Sequence, residues 1–205
     1  MSERDVTGLF LGLVEGRRGH FRLESGHHGR LWLDLDALFA EPRRVEPFVG
    51  ALAAALRPYE VDAVCGPLLG GAFLAQLVAQ ALGAEFWFAE RVTARRTEGL
   101  YGVSYRLPPA LRARAGGRRV AVVDDVMSAG SSLRATHEEL RARGAEMVVA
   151  GALLVLGSRG AQHFAGLGVP VEAVAREEYQ TWEPAACPLC AAGAPLEDAG
   201  AAEVR

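Results

Sequence analysis

Residues 118–132, RRVAVVDDVMSAGSS, constrain the fold of this chain more than any other stretch. Four small apolar residues, Val120, Ala121, Val122 and Val123, run into two adjacent carboxylates, Asp124 and Asp125. Val126 and Met127 lead on to a turn of small residues, Ser128, Ala129, Gly130, Ser131 and Ser132, after which residues 133–143 have helical character. A buried strand, a tight turn and a helix N-terminus together make an anion site. The N–H groups of a first helical turn have no partner within the helix, and the helix dipole favours negative charge there. The three serine hydroxyls add donors. An anion repels the two carboxylates, so they suit neutral hydroxyls carried beside it, such as those of a ribose. No Gly-Lys-Ser/Thr follows the glycine, which excludes a Walker loop, and GxGxxG is absent. The competing reading is a plain buried strand and turn with two surface acids. Against it, paired acids at a strand end of a doubly wound sheet stand where ligands bind.

The 205 residues suit one domain with a sizeable core. Half of them are hydrophobic and the net charge is −3, which gives no basic footprint for nucleic acid. No apolar run reaches the length of a membrane span. The opening MSERD is charged and lacks the apolar stretch of a secretory leader. Three cysteines do not make a disulfide framework. The expectation is a cytoplasmic protein without nucleic-acid or membrane partners. All 22 basic side chains are Arg; there is no Lys.

Along the chain, helix and strand alternate. Residues 6–15 read as a short helix, and 20–36 as two short strands around a Gly-rich turn. A helix spans 42–56, with Pro42 suited to its first turn. A strand at 61–66 precedes a Gly-Gly break and a helix at 72–82 that Gly83 closes. Strands follow at 84–91, 147–156 and 169–174. Residues 92–117 lack periodicity and read as a long mobile loop with a hairpin around 101–105. The segment after Pro195 is small and polar and is expected to fray. Buried apolar strands alternating with helices predict an α/β fold, a doubly wound, mostly parallel sheet covered on both faces.

The strand, paired acids and Ser-Ala-Gly-Ser-Ser turn resemble the phosphoribosyl pyrophosphate (PRPP) signature of type I phosphoribosyltransferases. Within that group the chain is most similar to orotate phosphoribosyltransferase, from about residue 8 to 196. Phe21, Leu23, Ser25, Gly26, Trp32 and Leu33 match the family's opening, a small hood over the base. Gly66, Pro67, Leu68, Leu69, Gly70 and Gly71 match its pyrophosphate loop, where adjacent glycines let backbone amides approach an anion. The terminal WEPAACPLCAAGAPL is similar to the tail of one bacterial subset. The resemblance divides the chain into an N-terminal helix and hood (1–40), a core (41–182) and a tail (183–205).

The resemblance implies transfer of ribose 5-phosphate from PRPP to a base, orotate foremost, with release of pyrophosphate. It implies Mg²⁺ held largely by ligand and water, as that ion prefers, and a homodimer. Asp124 and Asp125 would hold the ribose hydroxyls and the turn 128–132 the 5′-phosphate, with Val126 and Met127 also at PRPP. Leu69, Gly70, Gly71, Arg91, Arg95 and Arg96 would face pyrophosphate, with Asp124, Asp125 and Arg91 acting in catalysis. Residues 92–106 would close over the site and keep water from PRPP. Trp32 and Leu33, through their backbone, and Ser128 would meet the base.

The chain departs from the family pattern in its basic residues. Family lysines fall on Glu24 in the hood, Gly70 in the pyrophosphate loop and Arg91 at a strand end, with Arg95 and Arg96 nearest to the loop Lys. Arg neutralises pyrophosphate with fork geometry but cannot act as a general acid near neutral pH. Where the family carries an Asp-Arg pair for the orotate carboxylate, this chain has Val155 and Leu156, with Arg159 three residues on. Two alternatives therefore stay open: a transferase for another base, and a noncatalytic PRPP- or nucleotide-binding regulator.

Cys187 and Cys190 form one CxxC, half of a zinc site that Cys65, a histidine or a dimer mate would have to complete. A single pair more often marks reduced structural cysteines. His27 and His28 are adjacent in a turn and read as solvated. Tyr179 and Trp182 read as packing residues.

Overall fold

The computed structural model describes residues 3–23, 26–92 and 104–198. In chain order the elements are α1 (Glu3–Leu13), β1 (Arg17–Arg22), β2 (His28–Trp32), α2 (Pro42–Leu56), β3 (Ala63–Pro67), α3 (Gly70–Leu82), β4 (Glu85–Val92), β5 (Ser104–Arg106), α4 (Pro109–Arg112), β6 (Arg119–Met127), α5 (Ser131–Ala142), β7 (Glu146–Leu156), α6 (Arg159–Gly166), β8 (Val171–Glu177), β9 (Thr181–Trp182), α7 (Pro188–Ala191) and β10 (Glu197–Asp198).

The apolar runs at 63–67, 120–124 and 149–156 are buried on both faces, and this makes them the central strands. They lie in a six-stranded sheet of order β5-β4-β3-β6-β7-β8, parallel except for the antiparallel edge strand β5. One face carries a core of Leu52, Leu56, Leu74, Val78 and Leu153, and the other carries Trp87, Leu133, Leu140, Met147 and Phe164. The doubly wound α/β expectation is met.

The sheet order also fixes where a ligand binds. From β3 the chain moves outward to β4 and then crosses back to β6, so β3 and β6 are neighbours whose connections leave in opposite directions. Such a switch point opens a crevice at the carboxyl ends of the two strands. The Gly-Gly break follows β3, and the paired acids and serine turn end β6.

A second sheet of order β10-β1-β2-β9 stands apart from the first. Its middle is the antiparallel β1–β2 hairpin; β9 pairs antiparallel with β2, and β10 parallel with β1. The hood is therefore built from both ends of the chain. The expectation of fraying after Pro195 fails at Glu197 and Asp198, whose backbones pair with Phe21 and Arg22 of β1, respectively. The region read as one long loop contains β5 and α4, with Leu107 fully buried. Helix α6 was not anticipated, because residues 159–166 hold a single large apolar anchor, Phe164. The rest of the expected hairpin and the middle of the proposed closing segment, 93–103, lie outside the described residues.

Candidate active site

Strand β6 continues through both acids to Met127, and α5 starts at Ser131, leaving residues 128–130 as the turn. Gly130 adopts φ 73°, a left-handed conformation that glycine takes without a Cβ clash, and this turns the chain into the helix. The Ser132 hydroxyl donates to Asp124 Oδ2 at 2.6 Å and ties the first turn of α5 to the strand. The Asp125 N–H donates to Asp124 Oδ1 at 3.2 Å, and the Val126 N–H to Asp125 Oδ1 at 2.8 Å. Asp124 is 8% exposed. Burial pushes both carboxyls above the usual carboxylate range, furthest at Asp124, where the neighbouring Asp125 charge adds to it and the Ser132 hydrogen bond opposes it. A buried pair of acids under this strain favours a partner that brings hydroxyl donors or positive charge.

The Gly-Gly break lies directly against these acids. A Cβ on Gly70 would collide with the Asp125 carboxylate, and one on Gly71 would stand 2.7 Å from Asp124 Oδ1 and 2.9 Å from the Val123 carbonyl. Gly66 is packed just as closely against the backbone of Gly71. A side chain at position 70 would require the Asp125 carboxylate to move aside. Leu69, which precedes α3, is 67% exposed, and the Leu68–Leu69 peptide bond is cis. The two loops at the switch point thus form one unit, amides and glycines on one side and acids and serines on the other.

Arg91 lies near the end of β4 in register with Tyr105 of β5. Burial raises the Tyr105 phenol; the Asp124 charge adds to this and Arg91 opposes it, so the three side chains share one electrostatic neighbourhood. Val126 and Met127 complete β6; Met127 is buried against Gly160, which leaves its backbone as the part that can meet a ligand. Arg95, Arg96, Glu24 and Ser25 lie outside the described residues.

Beside the serine turn is a cavity of about 1190 Å³, lined by Ser128, Ala129 and Ser131, by Leu156, Gly157, Ser158 and Arg159, and by residues 176–182. Leu23 and His27 of the hood and Pro188 of the tail complete it. The structure brings Arg159 and Ser128 together at this cavity. Trp32 and Leu33 do not line it: the Trp32 ring faces the Arg17 guanidinium at 5.8 Å, and Leu33 packs on the core. Tyr179 and Trp182, expected only to pack, are wall residues. Gly160 is a further supporting residue. Its N–H donates to the Ser128 carbonyl at 3.1 Å, and a Cβ there would stand 2.7 Å from that oxygen. Ser158, a residue type favoured just ahead of a helix, was the available sequence signal for α6.

Residues 38–184 match the model of the phosphoribosyl transferase domain. An orotate phosphoribosyltransferase of Caldanaerobacter subterraneus subsp. tengcongensis is 33% identical over 201 residues, covering 98% of each chain. One from Thermus thermophilus is 36% identical over 195 residues, 95% of this chain and 99% of its own length. Among solved structures, orotate phosphoribosyltransferase from Aeropyrum pernix superposes with a TM-score of 0.61 at 22% identity, over 83% of this chain and 93% of that one. The adenine enzyme of Giardia lamblia, complexed with 9-deazaadenine, reaches 0.66 at 19% identity, over 86% and 98%. These structures share the fold, while the sequence relatives span nearly the whole chain. The chain belongs to the type I phosphoribosyltransferases, within the orotate phosphoribosyltransferase family.

Proposed function

We propose that the protein transfers ribose 5-phosphate from PRPP to orotate, giving orotidine 5′-phosphate and pyrophosphate. The observation that carries this is the single unit formed at the β3–β6 switch point by the Gly70–Gly71 loop, the Asp124–Asp125 pair and the turn at 128–132. On this reading the turn and the first N–H groups of α5 bind the 5′-phosphate, and the two acids accept hydrogen bonds from the ribose hydroxyls. The amides of Leu69, Gly70 and Gly71 and the Arg91 guanidinium hold the pyrophosphate, with Arg95 and Arg96 as further cations. As the C1′–N bond forms and the bond to pyrophosphate breaks, positive charge grows on the ribose while the leaving group gains negative charge. The acids stabilise the first and the arginines the second.

The chemistry of the donor set fits Mg²⁺: two buried carboxylates beside a phosphate site leave room for a hard cation with oxygen ligands. Asp124 and Asp125 would hold it through water and ribose oxygens, and when bound it supplies charge neutralisation at pyrophosphate. The site needs no lysine for this reaction, since arginine stabilises pyrophosphate as a permanent cation.

The orotate carboxylate is assigned to Arg159, with Ser128 lining the same cavity and Leu23 and His27 closing it from the hood. The same reading takes the enzyme as a cytoplasmic homodimer and, from the Cys187–Cys190 tail, as one of the bacterial subset bearing it. Arg159→Ala tests the base assignment. It should raise the orotate KM about 10- to 150-fold, as loss of a hydrogen bond to a charged group worth about 1.5–3 kcal/mol requires, and leave the PRPP KM nearly unchanged. Unimpaired use of orotate by this variant would refute the anchor. Preference of the wild type for uncharged bases over orotate would refute the substrate.

A further inference from the structure

Away from the switch point, four metal-ligating side chains from opposite ends of the chain converge inside the hood. His20 lies in β1, His28 opens β2, and Cys187 and Cys190 bracket the start of α7. One donor atom from each lies within 4.8 Å of all the others, and the two histidines and Cys187 are buried.

Four of the six spacings within this group match those of a tetrahedron around a single ion, and the other two lie within 4.8 Å. Zinc bonds of about 2.3 Å to sulfur and about 2.0–2.1 Å to nitrogen put tetrahedral neighbours about 3.3 Å apart for N···N and about 3.6 Å for N···S. Here His20 Nε2 and His28 Nδ1 are 3.2 Å apart. Cys187 Sγ is 3.4 Å from His20 Nε2, and Cys190 Sγ is 3.7 Å from His20 Nε2 and 3.3 Å from His28 Nδ1. A second contact orients the set. The Ala194 carbonyl lies 3.0 Å from His20 Nδ1, so that nitrogen carries the proton and donates it, leaving the Nε2 lone pair aimed at the centre of the group. A backbone acceptor on the outer nitrogen is how metal-bound histidines are held. Two thiolates and two imidazoles select a soft or borderline ion rather than Mg²⁺.

We propose that His20, His28, Cys187 and Cys190 bind one Zn²⁺ in a closed, structural site that fastens the C-terminal tail to the hood. Binding releases the two thiol protons to solvent and leaves the metal with no open position, so it takes no part in group transfer. Its influence on the reaction is indirect. His27, next to one ligand, and Pro188, next to another, line the cavity assigned to the base. The ion therefore holds His27 and Pro188 in the cavity wall through His28 and Cys187, and all four ligands act on the base as positioning residues through it. The assignment stands independently of the identity of that base.

The test uses the full chain, purified without a polyhistidine tag and kept reduced. Elemental analysis should find one equivalent of zinc per chain. Replacement by Co²⁺ should give intense visible bands of tetrahedral cobalt together with thiolate charge-transfer absorption. Chelation should lower the melting temperature, and zinc should restore it. Cys190→Ser, at the more exposed ligand, should lose the charge-transfer intensity in part and raise the orotate KM more than the PRPP KM. If the variant does not fold, the wild-type cobalt spectrum and chelation series decide alone. A reduced wild-type chain that lacks zinc, gives no such cobalt spectrum and melts at the same temperature with and without zinc would overturn the proposal.

Discussion

Asp124→Asn should make the protein more stable and less able to bind PRPP. In the wild type the Asp124 carboxylate is buried beside Asp125 and carries two hydrogen bonds, one from Ser132 Oγ and one from the Asp125 N–H. Asparagine keeps both: its Oδ1 accepts from the Asp125 N–H, and its Nδ2 donates to Ser132 Oγ, since a hydroxyl serves in either role. What is lost is the buried charge and its repulsion with Asp125. Relief of that kind contributes about 0.5–2 kcal/mol, and at about 2–4 °C per kcal/mol for a chain of this size the melting temperature should rise by about 1–8 °C at neutral pH. The pH dependence carries a definite sign. The native carboxyl is raised above its unfolded value of about 3.9, so below that value both states are protonated and the variant has no advantage. As pH rises from there through the raised native value, the unfolded chain releases its proton first, wild-type stability falls, and the gap between variant and wild type opens. PRPP affinity should fall about 10- to 150-fold, the loss of about 1.5–3 kcal/mol for a charge-assisted hydrogen bond. Calorimetry from acid to neutral pH and PRPP titration of the same two proteins make the measurement. A variant that melts lower than the wild type at neutral pH, or a gap that stays constant on acidification, would refute this account of the acid pair.

Gly160→Ala should destabilise the protein by about 1–3 kcal/mol through overpacking against the Ser128 carbonyl, and should weaken PRPP binding by displacing the turn; chemical denaturation and ligand titration measure the two effects. Gly71→Ala should cost a similar amount and lower kcat as well, because the added methyl meets Asp124 Oδ1 at 2.7 Å; steady-state kinetics with saturating PRPP separate this from a binding defect. Mg-PRPP at about 100 times its Kd should stabilise the wild type by about 2.7 kcal/mol, a melting shift of about 5–11 °C, and Asp125→Asn should diminish the shift.

The sequence was most legible where one local rule sufficed. Helix α2 runs over Pro42–Leu56, the span its pattern predicted, and α3 ends at the glycine expected to close it. The strand, acids and turn at 119–130 were readable for the same reason: buried apolar run, charge and small residues are contiguous. What escaped was non-local. His28 was expected to be solvated beside His27, but the pleat of β2 sends it inward while His27 reaches Glu183 at 2.9 Å. Cys65, one candidate to complete the CxxC pair, is instead fully buried in β3. His20 and Cys187 are brought together across 167 residues of chain, which no spacing rule within one segment reveals. The base cavity was half legible. Ser128 and Arg159 were named from the sequence, whereas Tyr179, Trp182 and Pro188 lie in the segment that follows β8 and returns to the hood, where β9 pairs with β2.

The most direct test of the central claim is a stoichiometric one. The wild-type chain is incubated with Mg²⁺, PRPP labelled in its ribose, and orotate, and labelled nucleotide and free pyrophosphate are scored together. Orotidine 5′-phosphate and pyrophosphate should form in equal amounts, both dependent on orotate, from a chain that has no lysine. Pyrophosphate release that is independent of the base, or tight PRPP binding with no nucleotide formed from orotate, would contradict it.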